Sequence, residues 1–82
     1  KYVVYLLVTS VKNKTISYVG YTNNIKKRLK LHNSSKGAKF TKGKKWKLIY
    51  SQNYKTKIKA MKEEYKLKKN YKLRKLIKNK FL

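Results

Sequence analysis

The chain has 82 residues, of which 25 are Lys or Arg and only 2 are Asp or Glu, so its formal net charge is +23. It contains no Cys and 1 His, which excludes disulfides, thiolate zinc sites and multi-histidine metal centres. With 40% hydrophobic residues it can bury one core, and we predict a single folded domain over residues 1–82.

The positive charge allows two kinds of partner, nucleic acid and an anionic membrane surface. The apolar run Tyr2–Val8 is far shorter than the roughly 18 residues of a membrane span and lacks a signal-peptide cleavage site. Nearly all the basic residues are Lys, so part of the charge reflects a composition bias rather than function. We favour nucleic acid, DNA before RNA. We expect a cytoplasmic, nucleoid-associated monomer without membrane contact or small-molecule cofactor.

The first half of the chain predicts a β-hairpin followed by a helix. Tyr2–Val8 is a continuous β-branched, aromatic and apolar run, which is typical of a central strand buried on both faces. A polar turn at residues 12–15 separates it from a second strand, Ile16–Tyr21. Gly20 inside that strand indicates a close backbone approach or a bulge. Polar residues then supply N-cap candidates for a short helix over Ile25–His32.

The second half predicts a long loop, a strand and two helices. Residues 33–45 form a Lys-rich loop, and loops of this length are usually functional or mobile. Trp46–Tyr50 predicts a third strand, and a helix over Thr56–Lys69 is expected to end at Asn70. The apolar stripe of a last helix consists of Leu73, Leu76 and Ile77. The order β-β-α-β-α-α predicts a small α+β domain with a three-stranded sheet.

Arg28 and His32 are rare residue types here, and helical periodicity puts both on the apolar stripe of the first helix. Ile25 and Leu29 share that stripe, whereas the lysines of the same segment fall on the far side. A buried Arg is costly unless it meets an anion, which favours a functional site for Arg28 over simple packing of its stem. For His32, a functional site and a favourable place at the helix C-terminus fit the pattern equally.

The two acidic residues, Glu63 and Glu64, are neighbours on the second predicted helix and point in different directions. The apolar residues of this helix form a wide arc that contains Ile58, Tyr65, Met61, Ala60 and Leu67, and Glu64 falls inside that arc. We expect Glu63 to be a solvated surface residue that can form ion pairs with Lys59 and Lys66. An inward Glu64 must be paired, protonated or metal-bound, and a structural ion pair with a Lys is the alternative to a metal site.

The shortage of acids excludes several enzyme mechanisms. Two-metal nucleases need several carboxylates, and glycosidases and aspartic proteases need two that face each other. A Ser-His-Asp triad is impossible without Asp, and the sequence contains no Gly-rich P-loop. A single carboxylate does suit one Mg²⁺ ion, which keeps several waters and takes other ligands from phosphate.

An ordered series of residues resembles the signature of the GIY-YIG nucleases. The series is Val3-Val4-Tyr5, Tyr18-Val19-Gly20, Arg28, His32 and Glu64. The segments 32–42 and 60–68 are similar to the small single-domain branch of that family, the YhbQ-like or UPF0213 proteins, and Slx1-type nuclease domains are a more distant likeness. The resemblance covers nearly the whole chain and implies a three-stranded antiparallel sheet flanked by helices.

The resemblance also implies a Mg²⁺- or Mn²⁺-dependent endonuclease that holds one ion and cleaves phosphodiester bonds in DNA, of a structure-selective or repair type. Tyr5 and Tyr18 match the two family tyrosines, of which one activates water and the other orients it or contacts phosphate. A Tyr base needs nearby positive charge, which we expect to lower its pKa from about 10. Because the chain has 8 Tyr, packing within the sheet is the alternative for both.

Other matches carry roles by the same resemblance. Arg28 matches the arginine that stabilises charge on the phosphoryl group, and His32 matches a histidine that positions phosphate or shuttles a proton. Glu64 matches the sole metal-ligating glutamate. Gly20 matches a glycine that lets the backbone pass near the site and its nucleic acid.

The predicted loop supplies basic residues for the nucleic-acid backbone. These are Lys36, Lys39, Lys42, Lys44 and Lys45. Phe40 and Trp46 interleave with them, a composition that suits phosphate contacts and base stacking. For Trp46 we favour core packing, because it opens a predicted strand. The alternative to a nuclease is a DNA- or RNA-binding module that uses the same scaffold without cutting.

Overall fold

The computed structural model describes residues 1–81 as one antiparallel sheet with helices on both faces. Its elements are β1 (Tyr2–Val11), β2 (Lys14–Thr22), α1 (Ile25–Asn33), a 3₁₀ turn (Lys39–Thr41), β3 (Lys47–Tyr54), α2 (Lys57–Lys69) and α3 (Tyr71–Phe81). The strand order is β2-β1-β3. The predicted fold class, element order and central first strand are confirmed. Within residues 1–81 no helix has both the length and the apolar character that crossing a membrane requires.

The β1–β2 hairpin turns more tightly than its sequence predicts. Val11 pairs with Lys14, so the loop contains only Lys12 and Asn13, both at positive φ of 50° and 67°. Two such residues form the type I′ geometry whose twist matches antiparallel strands. The predicted strand ends were therefore wrong by two or three residues, because Thr9 and Ser10 continue the pairing although they are polar.

Alternation along β1 divides the core between the two faces of the sheet. Val4, Leu6 and Val8 pack on the face covered by α2 and α3. Tyr5 and Leu7 point to the opposite face, toward α1 and the loop that follows it. All five side chains are buried, which confirms the prediction of a strand enclosed on both faces.

The third strand carries a bulge that departs from simple alternation. Leu6 pairs with Tyr50 and Leu7 with Leu48, so Ile49 is an extra residue in β3. Ile49 and Tyr50 consequently both pack on the α2 face. The strand also runs on to Tyr54, four residues beyond the predicted end at Tyr50.

Asparagine side chains begin α1 and close the loop after it. Asn24 accepts a hydrogen bond from the backbone N–H of Lys27 at 3.1 Å, which caps the helix as predicted. Asn33, the last helical residue, both accepts from the Trp46 N–H (2.5 Å) and donates to the Trp46 carbonyl (3.1 Å). This pair of bonds joins the two ends of the loop and holds it against the sheet.

The buried face of α2 is only one end of the predicted apolar arc. The side chains of Ala60 and Leu67 meet the sheet, whereas Ile58 is 69% and Tyr65 is 61% exposed. The apolar side chains of this helix cover a wide arc, so periodicity alone does not show which part of the arc meets the sheet. The small Ala60 side chain, fully buried, lets the helix approach β1 closely.

Asn70 separates the last two helices, as predicted. It ends α2, and its side chain accepts a hydrogen bond from the Leu73 N–H at 3.0 Å at the start of α3. Of the predicted stripe on α3, Ile77 packs against the core, Leu73 lines a cleft beside it and Leu76 is 63% exposed. The stripe is thus only partly covered.

Candidate active site

Tyr5 lies on the α1 face of the central strand, directly opposite Gly20 of β2. A Cβ atom on Gly20 would lie 2.6 Å from Cζ of Tyr5, well inside van der Waals contact. Gly20 is itself buried, so its part in the site is to seat the phenol rather than to touch nucleic acid. The predicted close backbone approach is therefore a close approach of the Tyr5 ring.

A chain of hydrogen bonds runs inward from the Tyr5 hydroxyl. That hydroxyl lies 2.8 Å from Nε2 of His32, and Nδ1 of His32 lies 2.8 Å from Oγ1 of Thr41. Thr41 donates its single hydroxyl proton to the Ala38 carbonyl at 2.8 Å. Its oxygen must then accept from Nδ1–H, so Nε2 is the unprotonated nitrogen of a neutral His32 and Tyr5 donates to it.

The loop is packed closely around the His32 ring, which is fully buried. A Cβ atom on Gly37 would lie 2.5 Å from Nδ1 of this ring, so only glycine fits there. The indole N–H of Trp46 donates to the Thr41 carbonyl at 3.0 Å, which holds Thr41 in place. Full burial means that His32 does not meet a phosphate group directly.

Tyr18 is the more accessible of the two candidate tyrosines. Its ring centroid lies 5.0 Å from that of His32 and 6.4 Å from that of Tyr5. Tyr5 is only 1% exposed, whereas Tyr18 is partly exposed at the surface of the same cluster. The two phenols therefore occupy an inner and an outer position around one imidazole.

Arg28 and Glu64 bring opposite charges to this group. Burial raises the pKa of Tyr5 to about 12, although the nearby Arg28 guanidinium opposes the rise. The Tyr18 phenol and the Glu64 carboxylate add to the rise, so both lie within electrostatic reach of the Tyr5 hydroxyl. Burial, followed by the charge of Arg28, lowers the pKa of His32 from its ordinary 6.5. All five predicted catalytic side chains are thus brought into one neighbourhood.

Arg28 lowers the pKa of Tyr5, as predicted, but the net change for this phenol is upward. Removing the phenol from water disfavours phenolate more than the Arg28 charge favours it. The Tyr5–His32 pair is therefore neutral near pH 7. The acceptor placed to receive the Tyr5 proton is Nε2 of His32, 2.8 Å away.

The two glutamates form different ion pairs and lie near different tyrosines. Glu63 pairs with Lys59 and Lys66 at 3.4 and 3.2 Å, as predicted, but its side chain is only 23% exposed rather than fully solvated. Burial and then the Glu63 carboxylate raise the pKa of Tyr54 on β3. Glu64 acts instead on the Tyr5 neighbourhood and makes one longer ion pair, 3.6 Å to Lys68.

The profile of the GIY-YIG catalytic domain matches residues 1–78 of this chain. The chain belongs to the GIY-YIG family. This is a family of nuclease-type hydrolases that act on nucleic acid. No solved structure matches the chain.

Several curated relatives are UPF0213 proteins, which places the chain in that branch of the GIY-YIG family. A UPF0213 protein of Bacillus licheniformis is 48% identical over 66 residues, which cover 79% of this chain and 67% of the relative. One of Oceanobacillus iheyensis is 37% identical, covering 78% and 74%. YazA of Bacillus subtilis is 49% identical, covering 63% and 54%, so the match extends over about half to three quarters of these relatives.

The GIY-YIG side chains fit a hydrated divalent ion rather than a cage of protein ligands. Among residues 1–81 no three His, Cys, Asp or Glu side chains gather closely enough to hold a metal. Glu64 is 18% exposed, and its ion pair with the half-exposed Lys68 side chain is long, at 3.6 Å. Mg²⁺ commonly uses one carboxylate, several waters and substrate phosphate, which this arrangement can supply.

Arg28 of the candidate site faces a surface cleft of about 190 Å³. Its lining residues are Thr22, Asn23, Asn24, Lys27, Arg28 and Leu31. Tyr5 and His32 lie beneath the surface, whereas the Arg28 guanidinium is only partly buried. An anionic group can therefore reach Arg28 from outside.

The lysines of the basic loop lie where the sequence predicts a surface. Those exposed to solvent are Lys36, Lys39, Lys42 and Lys45. Lys44 is half-buried and donates to the Phe40 carbonyl at 3.2 Å. Trp46 is 4% exposed, so the prediction of core packing is correct, while Phe40 is 51% exposed.

Sequence reasoning missed Thr41 and Gly37, which hold the histidine. Both stand in a stretch of Lys, Ser and Gly that has no periodic pattern. Their importance depends on the loop folding back over α1, a contact between residues that share no local signal. The sequence shows that Thr41 is a polar residue in the loop, but it does not show that its partner is His32.

Proposed function

We propose that this chain is a Mg²⁺-dependent endonuclease that hydrolyses phosphodiester bonds in DNA. The observation that supports it most strongly is the oriented chain from Tyr5 through His32 to Thr41, next to the charges of Arg28 and Glu64. A Tyr–His proton acceptor of this kind, beside the Arg28 guanidinium and the Glu64 carboxylate, suits attack by water on a phosphate. A DNA substrate is compatible with a cytoplasmic, nucleoid-associated protein.

In this proposal Tyr5 and His32 act together as the proton acceptor. The attacking water gives its proton to the Tyr5 oxygen while the Tyr5 proton moves to Nε2 of His32, so Tyr5 remains neutral. The hydroxide attacks phosphorus, the bond to the leaving 3′ oxygen breaks, and that oxygen departs with the bonding electrons and takes a proton from solvent. The imidazolium formed on His32 keeps its Nδ1–H bond to Thr41. General-base assistance of this type contributes about 10²- to 10⁴-fold to rate.

The accessible groups handle the phosphate. Arg28 stabilises the negative charge that develops on the phosphoryl oxygens, and Tyr18 orients the water or contacts phosphate from the outer position. Glu64 would hold the single Mg²⁺ or Mn²⁺ ion, which supplies further neutralisation of charge when bound. The loop lysines bind the backbone without reading sequence.

The decisive experiment compares the neighbouring glutamates. We expect purified protein to nick DNA with Mg²⁺ and to stop in EDTA. E64Q should remove cutting and keep DNA affinity within about twofold, since phosphate binding depends mainly on lysines. E63Q is the matched control, one residue away and also paired with lysines, and should cut at nearly the normal rate. Equal loss in both variants would contradict the role given to Glu64.

A second candidate is a binding module that does not cut. It is favoured by the Glu64–Lys68 ion pair, which occupies the carboxylate, and by a basic loop that needs no metal. Under this alternative the protein binds duplex, single-stranded and branched DNA or RNA but leaves all of them intact with Mg²⁺ or Mn²⁺. Cutting of any of these substrates decides in favour of the nuclease.

A further inference from the structure

Phe40 is an exposed aromatic side chain beside the candidate active site. It is 51% exposed, while its neighbour Thr41 is fully buried against His32. Its ring stacks on that of Tyr18, with centroids 6.2 Å apart and planes inclined by 21°. The ring therefore continues the outer aromatic surface of the site into solvent.

The position of Phe40 is determined from several sides. The next residue, Thr41, is held by hydrogen bonds to His32 and to the Ala38 carbonyl. The Trp46 ring, itself buried, lies 6.0 Å from the Phe40 ring. An exposed ring with so fixed a location loses little conformational freedom when a ligand stacks on it.

A positive charge accompanies this ring. The Lys44 ammonium lies 5.6 Å from the Phe40 centroid and donates to the Phe40 carbonyl. An aromatic face with an adjacent ammonium suits a nucleotide, because the base can stack while the ammonium moves to the phosphate. The Phe40 ring alone would suit many apolar ligands. The ring together with the Lys44 ammonium favours a nucleotide, which has both a base and a phosphate.

We propose that Phe40 stacks on an unpaired nucleobase next to the phosphate that is cut, and that the substrate class is DNA with unpaired nucleotides at the cleavage point. The inference rests on the proposed function for the location of the cut. A base inside an intact duplex is covered on both faces by its neighbours, so Phe40 can reach only a base that is unstacked. Flaps, gaps and single strands present such bases.

Tyr71 provides a matched control on α3. It is 60% exposed, and the Arg74 guanidinium lies 5.8 Å from its ring centroid. It therefore has the same combination of exposed aromatic and cation, but it lies outside the cluster around His32. If any exposed aromatic of a basic protein improved binding to single strands, Tyr71 would do so as well.

The test measures equilibrium binding in EDTA, where no cutting occurs. The probes are a fluorescent single-stranded oligonucleotide with 2-aminopurine and the same strand in a duplex. F40L keeps an apolar side chain and should weaken single-strand binding about tenfold, the effect of losing one stacked base, while changing duplex binding less than about twofold. F40W should retain both affinities and the 2-aminopurine quenching. Y71L should change neither.

The outcomes separate this inference from the proposed function. Equal weakening on duplex and single strand in F40L, or the same loss in Y71L, would overturn the stacking inference even if the protein cuts DNA. Selective loss in F40L with no cutting of any substrate would leave stacking intact and contradict the nuclease. Thermal unfolding of F40L and F40W, expected within a few degrees of each other, checks that both variants are folded.

Discussion

The hydrogen bond between Thr41 and His32, 2.8 Å long, determines which nitrogen of the buried imidazole is free to accept a proton. Thr41 donates to the Ala38 carbonyl, so it presents a lone pair to Nδ1 and leaves Nε2 facing Tyr5. A loop residue thus gives direction to a proton path that begins on the central strand.

The first prediction concerns this hydrogen bond. T41V keeps the shape of the side chain but removes the acceptor for Nδ1–H, so His32 loses its preferred tautomer. We expect kcat for DNA cutting to fall about 10- to 100-fold, the usual effect of removing the partner that orients a functional His, with Kd for DNA nearly unchanged. T41S restores the hydroxyl and should recover most of the rate. Full activity in T41V would contradict the proton path.

The second prediction concerns stability at mildly acidic pH. His32 has a lowered pKa in the folded protein, so the unfolded chain takes up a proton first as the pH falls. The free energy of unfolding should be at its full value above pH 6.5 and decline as the pH falls from about 6.5 toward 5. The chain has 1 His and no Asp, and Glu ordinarily titrates below this window.

Urea unfolding across this window measures the effect, with H32Q as the control. The variant lacks the titrating ring, so its stability should change little over the same range. The free energy of unfolding falls as the pH falls because His32 binds a proton more readily in the unfolded chain than in the folded protein. Acid therefore favours the unfolded chain. Stability of the natural sequence that rises on acidification would overturn the assignment of His32 as a buried neutral group.

The third prediction concerns the seat of the Tyr5 ring. In G20A the new Cβ would collide with Tyr5, whose Cζ would be 2.6 Å away, so the phenol must move from His32. We expect a loss of about 1–3 kcal/mol in the free energy of unfolding, as for other overpacked cores, and a marked loss of cutting. The double variant G20A/Y5L should regain stability without regaining activity.

Gly43 supplies the comparison for this substitution. A Cβ there meets no atom within 4 Å, although φ is +75°. G43A should therefore cost about 1–2 kcal/mol through backbone strain alone and leave cutting intact. If G20A and G43A affected activity equally, the contact between Gly20 and the phenol would have no special role.

The fourth prediction concerns the basic loop. K42A and K45A each remove an exposed positive charge close to the candidate site. If each lysine contacts one phosphate, each substitution should reduce the slope of log K against log salt by about one unit and weaken all DNA sequences alike. K72A and K75A on α3 are matched controls, exposed in the same way, and should leave the slope unchanged.

Much of the fold followed from local patterns in the amino-acid sequence. The unbroken apolar run at the start predicted a central strand, and Asn24 and Asn70 marked helix ends through their own side chains. The inner face of α1 was also predictable, because Ile25 and Leu29 alternate there with lysines. The inner face of α2 was not, because its apolar residues spread over a wide arc and only one end of that arc meets the sheet.

The sequence by itself determined which residue types were available: two acids, one histidine and a large excess of lysine. Those numbers restrict the chemistry before any folding, and an ordered motif indicated which side chains belong together. Only the tertiary structure decided that His32 is buried, that Thr41 orients it and that Phe40 is left exposed. These properties arise when a loop without a periodic pattern folds back over a helix. Neither the loop sequence nor the helix sequence contains a local pattern that predicts such contacts.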